Sequence, residues 1–277
     1  QTIKLVFASI YSDESKHYFD AIHRKVEDEK MAIVLQELVG SQYDHYYYPH
    51  IAGTAQSYNY YPVAHMRPEE GFAMAAVGLG YYVVGGQKSF RFSPKYPTVE
   101  VYSTQDMVRM TQTEFVVVDL DKTDLDYLGQ GESAPLATLP ISEGEKHGSI
   151  KHLASVYNPQ NDQIEAGLSA YGPRVINFAN ILKYDYVPLA RLLDEILQIA
   201  QGALGSPVEL EWAVDLNAKN NGLPSFYLLQ IKPMVAGHQS KEIKIEQPDK
   251  DNTLLYAEKS LGNGELTDIF DIIYVDP

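Results

Sequence analysis

Val208-Glu-Leu-Glu-Trp-Ala-Val-Asp215, the polar connector Asn220-Asn-Gly-Leu-Pro224 and Phe226-Tyr-Leu-Leu-Gln-Ile-Lys-Pro-Met234 together decide how the chain folds. Val208, Leu210, Trp212 and Val214 alternate with Glu209, Glu211, Ala213 and Asp215, the period of a strand with one face in the core. The carboxylates of Glu209 and Glu211 then share the other face. In the second run Gln230 and Lys232 share a face opposite Tyr227, Leu229 and Ile231. The Asn- and Gly-rich connector predicts that the two runs pair as an antiparallel hairpin, which gathers Glu209, Glu211, Gln230 and Lys232 into one polar cluster. Oxygen ligands and one cation meet the needs of a magnesium-triphosphate site. Mg²⁺ takes one or two carboxylates with phosphate oxygens and water, and a nearby ammonium offsets the remaining phosphate charge. The same alternation also fits a hairpin whose outer face is only solvated.

The chain has 277 residues and is 45% hydrophobic, enough for a sizeable core in one large domain or two small ones. A formal charge of -15 argues against nucleic acid or an anionic membrane as a partner, because such binding rests on Lys and Arg neutralising phosphates. A locally basic nucleotide pocket is still compatible with it. The absence of cysteine excludes disulfides, thiolate metal sites and a cysteine nucleophile, and fits the reducing cytoplasm expected as the location. No apolar run has the length of a membrane span, and the start lacks a signal-peptide pattern. The run Ile3-Lys-Leu-Val-Phe7 directly after Gln1 reads as the start of a cut piece.

Outward from the hairpin, the patterns predict a helix over about residues 12–25 and a buried strand over Met31-Ala-Ile-Val-Leu-Gln-Glu-Leu-Val39, with helix as the alternative for the latter. The tyrosine-rich stretch 46–62 is strand-prone. His45 and His50 invite a metal reading, but five-residue spacing in an extended segment gives neither a shared face nor a third ligand. Arg67-Pro-Glu-Glu70 reads as a helix start that carries the run Phe72 to Val77 and stops at Gly78-Leu-Gly80. Gly78-Leu-Gly80 and Gly85-Gly86 are turns that let backbone N–H groups approach phosphate, with Arg91 and Lys95 adding charge; such turns more often have no ligand at all. A helix near 105–110, a strand at 115–119, a loop-rich acidic excursion at about 121–148 and strands near 150–157 and 174–178 follow. Leu189, Leu192, Leu193, Ile196, Leu197, Ile199 and Ala200 mark the clearest helix, over Val187 to Ala203, with Gly202 and Gly205 near its end. The tail closes with a strand at Ile272-Ile-Tyr-Val275.

Several blocks in order resemble the nucleotide-binding half of the pyruvate phosphate dikinase and phosphoenolpyruvate synthase family. They are residues 31–39, Gly53 to Pro62, Gly78-Leu-Gly80 with Val83-Val-Gly85, Arg91 to Pro97, and above all Val208-Glu-Leu-Glu-Trp-Ala213 with Leu228-Leu-Gln-Ile-Lys-Pro233. The resemblance covers most of residues 1 to about 235; the ending Ala257 to Pro277 resembles a longer-tailed subgroup, and 236–277 is expected to be a C-terminal extension packed on the domain. It implies an α+β, ATP-grasp-like subdomain with a mixed or antiparallel sheet and packed helices, its N-terminal lobe missing. ATP and Mg²⁺ are the implied cofactors. The matched positions place adenine at Gln36, Glu37 and Val39, metal and phosphates at Glu211 and Gln230 with Glu209 beside them, and a charge-balancing catalytic role at Lys232, with Arg91 as a further nucleotide contact. The implied activity is phosphorylation of a histidine on a swivelling domain, for transfer to an acceptor such as pyruvate.

Two positions depart from the pattern. Lys232 stands where the family usually has Arg and cannot supply a planar fork to phosphate, and Tyr81 stands where Glu is common. None of His17, His23, His45, His50, His65, His147, His152 or His238 follows a Gly-rich Thr/Ser motif of a phosphohistidine domain. The expected partners are therefore ATP, a separate N-terminal lobe and a phosphohistidine domain, and the piece alone is expected to be inactive. The alternative is a non-catalytic nucleotide-binding or regulatory module that retains the ATP-grasp fold.

Overall fold

A computed structural model describes residues 2–21, 24–25, 30–86, 88–100, 102–123, 125–220, 222–234 and 253. The chain passes through α1 (Thr2–Ser9), α2 (Asp13–Ala21), β1 (Ser41–Tyr43), β2 (Tyr46–Tyr48), β3 (Ile51–Gln56), β4 (Phe72–Val77), the one-turn α3 (Tyr81–Val84) and β5 (Phe90–Phe92). Next come α4 (Thr104–Met110), β6 (Glu114–Asp119), α5 (Tyr127–Gln130), β7 (Leu136–Pro140) and α6 (Ile141–Lys146). Finally β8 (Ala154–Asn158), β9 (Gln163–Ala166), β10 (Arg174–Ile176), α7 (Ala179–Leu182) and α8 (Leu189–Leu204) lead into the long hairpin β11 (Val208–Asn220) and β12 (Leu223–Pro233). The described strands form three sheets ordered β12-β11-β3-β4-β5, β1-β2-β6-β7 and β10-β8-β9. Every described pairing is antiparallel, so the fold is α+β. Among the described residues no helix is long and apolar enough to cross a membrane.

The expected hairpin forms, and its inward residues build the core. Val208, Leu210, Trp212 and Val214 are buried with Ile51, Ala55, Ala73, Ala75, Val77 and Phe92 from the neighbouring strands. On this face α8 buries Leu189, Leu193, Leu197 and Ala200, and it ends at Gly205, whose φ of +67° suits a glycine cap. Trp212 is fully buried and pairs across the ladder with Gly53. A Cβ at position 53 would collide with the Trp212 ring and with the carbonyl of Met74, so this strand position admits only glycine.

The hairpin is not regular. Glu211 pairs with Gln230 but Trp212 pairs with Leu228, so Leu229 is the extra residue of a β-bulge. The bulge reverses the alternation beyond it. Tyr227 therefore lies opposite Ala213, on the face of Glu209 and Glu211, and not on the opposite face as simple alternation predicts.

Three other expectations are corrected. Residues 31–39 form no strand, and Val34 and Leu35 are 85% and 80% exposed. An apolar run becomes a strand only where a second backbone edge pairs with it, and no ladder runs along this segment. Residues 67–77 are not one helix. Pro68–Glu70 is a single 3-10 turn, Gly71 breaks it with φ of +66°, and Phe72–Val77 is a strand held on both sides by β3 and β5. The excursion at 121–148 contains β7, which pairs along β6. The predicted strand at 272–275 and the extension 236–277 lie outside the described residues, apart from residue 253.

A buried polar strap joins two of the sheets. Ser41 Oγ on β1 donates to Asp215 Oδ2 on β11 at 2.6 Å, and His50 Nδ1 lies 3.1 Å from Asp215 Oδ1. The other ring nitrogen of His50 meets the Tyr43 hydroxyl at 2.9 Å, and Asn217 Nδ2 donates to both Ser41 Oγ and Tyr43 Oη. Burial pushes the Asp215 carboxyl pKa up, but the bonds from His50, Ser41 and the Asn217 N–H outweigh it and hold the value well below the usual range.

Gly53→Ala is expected to lower stability by at least about 2 kcal/mol, read as a lower denaturant midpoint. The depressed pKa of Asp215 sets the sign of a pH effect. Its contribution is complete above the unfolded-state value of about 3.9 and is lost as pH falls through the folded value. Asp215→Asn is expected to cost about 2–3 kcal/mol at neutral pH and to flatten the loss of stability below about pH 4, measured by denaturation at stepped pH.

Candidate functional site

The outward face of the five-stranded sheet carries the polar residues of the hairpin. Register fixes two parallel rows across it. Lys232, Glu209, Gln56 and Phe72 are successive partners on β12, β11, β3 and β4. Gln230, Glu211, Thr54, Met74 and Arg91 are successive partners from β12 to β5. Paired residues in antiparallel strands point to the same side, so one surface holds all of them. The four residues grouped from sequence alone thus share one face.

Lys232 Nζ lies 2.7 Å from Glu209 Oε1 and 3.6 Å from Glu211 Oε1. The second oxygen of Glu209 accepts a bond of 2.5 Å from Gln56 Nε2. The Glu209 carboxylate holds the Lys232 pKa above the ordinary lysine value against the opposing effect of burial, with Glu211 adding a lesser push upward. Glu209 and Glu211 keep side-chain exposures of 20% and 34%, so water and small ions reach both.

Arg91 reaches the same face from the far edge, three strand spacings or about 14 Å from β11. Its Nη2 donates to Asn59 Oδ1 at 2.6 Å, and its guanidinium lies 4.1 Å above the Phe72 ring. Burial pulls the Arg91 pKa down, which the nearby Tyr102 counters. Lys95 is not brought to this surface. It pairs at 3.2 Å with buried Glu70, which the backbone N–H of Arg67, Lys95 and Tyr96 together hold at a pKa of about 2 despite its burial.

One end of the face is roofed. Ala52, Ala76 and Ala213 lie in one cross-strand row and are buried or nearly so. Ala76 packs with Tyr82 of α3 and with Leu79 and Val83. Gly78 takes φ of +82° against β6, and Leu79 N donates to Val116 O at 2.9 Å, so Gly78-Leu-Gly80 acts as the tight turn that places this roof. Tyr81 sits exposed at the start of α3.

Gln36, Glu37 and Val39 lie in the irregular segment before β1, and no described contact joins them to Glu209 or Glu211. The segment runs beside β2, where Tyr47 Oη donates to Leu38 O at 3.1 Å. Its end at Ser41 is fastened to Asp215, four residues or about 13 Å along β11 from Glu211. His50 is engaged with Asp215 and Tyr43, and the His45 ring lies tilted against that of Tyr46. Among the described residues no three His, Cys, Asp or Glu side chains form a metal cluster.

Sequence reading missed Gln56 and Thr54. The available signal was Ile51-Ala-Gly-Thr-Ala-Gln56, where small residues fill the inward positions 53 and 55 and polar residues stand at 54 and 56.

No curated protein matches the chain. The family model described as pyruvate phosphate dikinase, AMP/ATP-binding domain, matches residues 1–253, and the chain belongs to that family.

Proposed function

We propose that the open sheet face binds the triphosphate of ATP together with Mg²⁺, and that the chain is the nucleotide-binding part of an ATP-grasp phosphotransferase. In the parent enzyme it serves phosphorylation of a histidine on a swivelling domain, for onward transfer to pyruvate or a similar acceptor. Family membership supports ATP or AMP as the ligand. The observation that carries the placement is the convergence of Glu209, Glu211, Gln230 and Lys232 within one cross-strand patch.

The donor set fits the metal. Glu211 and the Gln230 amide offer hard oxygens with Glu209 beside them, and a divalent ion held there would supply charge neutralisation to phosphate oxygens. Lys232 brings a fixed positive charge to the same point, and Arg91 offers a second one at the far edge of the face. Gln36, Glu37 and Val39 form the adenine seat, reached from the Asp215 end of β11. The catalytic contribution of these residues is positioning and electrostatic stabilisation of the transferring phosphoryl group.

Glu211→Gln is expected to weaken Mg²⁺-dependent ATP binding by at least tenfold, or about 1.4 kcal/mol, in titration calorimetry. Equal binding by variant and wild type would remove the assigned role. Labelled ATP incubated with a full-length parent should leave phosphate on a histidine, seen as an acid-labile, base-stable phosphoprotein. ATP binding without any such transfer would favour a regulatory module.

A further inference from the structure

We propose that Gln56 is a positioning residue of this surface: it fixes Glu209 as the holder of Lys232 and leaves Glu211 as the carboxylate that takes the cation. This rests on the reading of the hairpin as a magnesium-nucleotide site, and it divides the labour between two carboxylates that look equivalent in the sequence.

The two rows differ in chemistry. Glu209 has an N–H donor on each side, Gln56 on β3 and Lys232 on β12, both being its register partners. Those donors engage its two oxygens separately, Nε2 of Gln56 at 2.5 Å and Nζ of Lys232 at 2.7 Å. A cation binding Glu209 directly would have to displace one of these contacts. Glu211 has oxygen-bearing neutral partners instead, Thr54 on β3 and Gln230 on β12. Its ion pair with Lys232 is longer, at 3.6 Å, beyond hydrogen-bond length. The row through Glu211 therefore presents a hydroxyl, a carboxylate and an amide, a set suited to a hard cation. The row through Glu209 presents a carboxylate already neutralised, which holds an ammonium beside the cation and toward the phosphate charge.

Gln56 matters because a carboxylate held by one partner can rotate. With Nε2 on one oxygen, the other stays aimed at Lys232. The raised pKa of Lys232, with Glu209 as its leading cause, agrees with this geometry.

The test compares the 277-residue protein with Gln56→Met, Glu209→Gln and Glu211→Gln, changes close to isosteric, each checked for its thermal melt. Nitrogen-15 spectroscopy of lysine side chains gives the proton-exchange rate of the Lys232 ammonium without ligand. Electron paramagnetic resonance gives the affinity for Mn²⁺ with a non-hydrolysable ATP analogue. Expected are a several-fold faster Lys232 exchange in Gln56→Met and Glu209→Gln with Mn²⁺ affinity nearly kept, and in Glu211→Gln a kept ammonium signal with Mn²⁺ affinity lower by about tenfold or more. The proposal is overturned if Glu209→Gln weakens Mn²⁺ as much as Glu211→Gln does, or if Gln56→Met leaves Lys232 exchange at the wild-type rate. Should the wild type bind no Mn²⁺ with the analogue, the magnesium-nucleotide reading falls, together with the cation role of Glu211. The exchange series then still decides whether Gln56 positions Lys232 through Glu209.

Discussion

A strand that buries Val208, Leu210, Trp212 and Val214 has no choice about where Glu209 and Glu211 point. The pleat sends them to the opposite face, and the fit of Trp212 over Gly53 pins the register in which this happens. A slip of one residue would place two carboxylates in the core and the indole in water, so the core and the polar surface are fixed by the same ladder. Gln56 and Thr54 reach the carboxylates because β3 is held in that register, and Arg91 shares the face because β4 and β5 continue it.

The bulge at Leu229 resolves a conflict in the second strand. Phe226 and Leu228 face the core side with Trp212 and Val214, while Gln230 and Lys232 must stand opposite Glu211 and Glu209. All four lie at even positions, so no regular strand can put the first two inward and the last two outward. One extra residue shifts the parity between them. The resulting kink falls directly beside Glu211, a location at which bulges commonly re-aim side chains.

This shows how far the sequence could be read. The hairpin, α8 and the grouping of Glu209, Glu211, Gln230 and Lys232 followed from local alternation and a turn signal, because those features are self-contained in the chain. The face of Tyr227 did not, since Phe226-Tyr-Leu-Leu229 is compatible with either parity until the partner strand is known. Phe72 to Val77 reads as helix in isolation because its alanines favour helix locally, and the two flanking strands that override this preference are distant or short. Residues 31–39 erred in the opposite direction, being strand-like in composition with no ladder to join. Gln56 was invisible for a third reason. A lone amide in an apolar strand acquires meaning only through a residue 153 positions away.

The outward residues of β11 have different fates although the alternation treats them alike. Glu209 and Glu211 stay open, Ala213 is buried in the row that ends at Ala76 beneath α3, and Asp215 is sealed under Ser41 and His50. What differs is the covering layer, and each cover serves the open end. Ala76 at the far end of that row allows α3 to sit close, which leaves the carboxylates at the mouth of a surface closed on one side. The buried carboxylate of Asp215 ties the same strand to β1 and so limits how far β11 can move against the segment that ends at Ser41. A strand anchored by a satisfied buried network at one end holds its side chains at the other end with less freedom than a loop would allow. In a chain of net charge -15, that rigidity has an electrostatic use: it keeps Lys232 against Glu209, where one ammonium offsets repulsion between two neighbouring carboxylates.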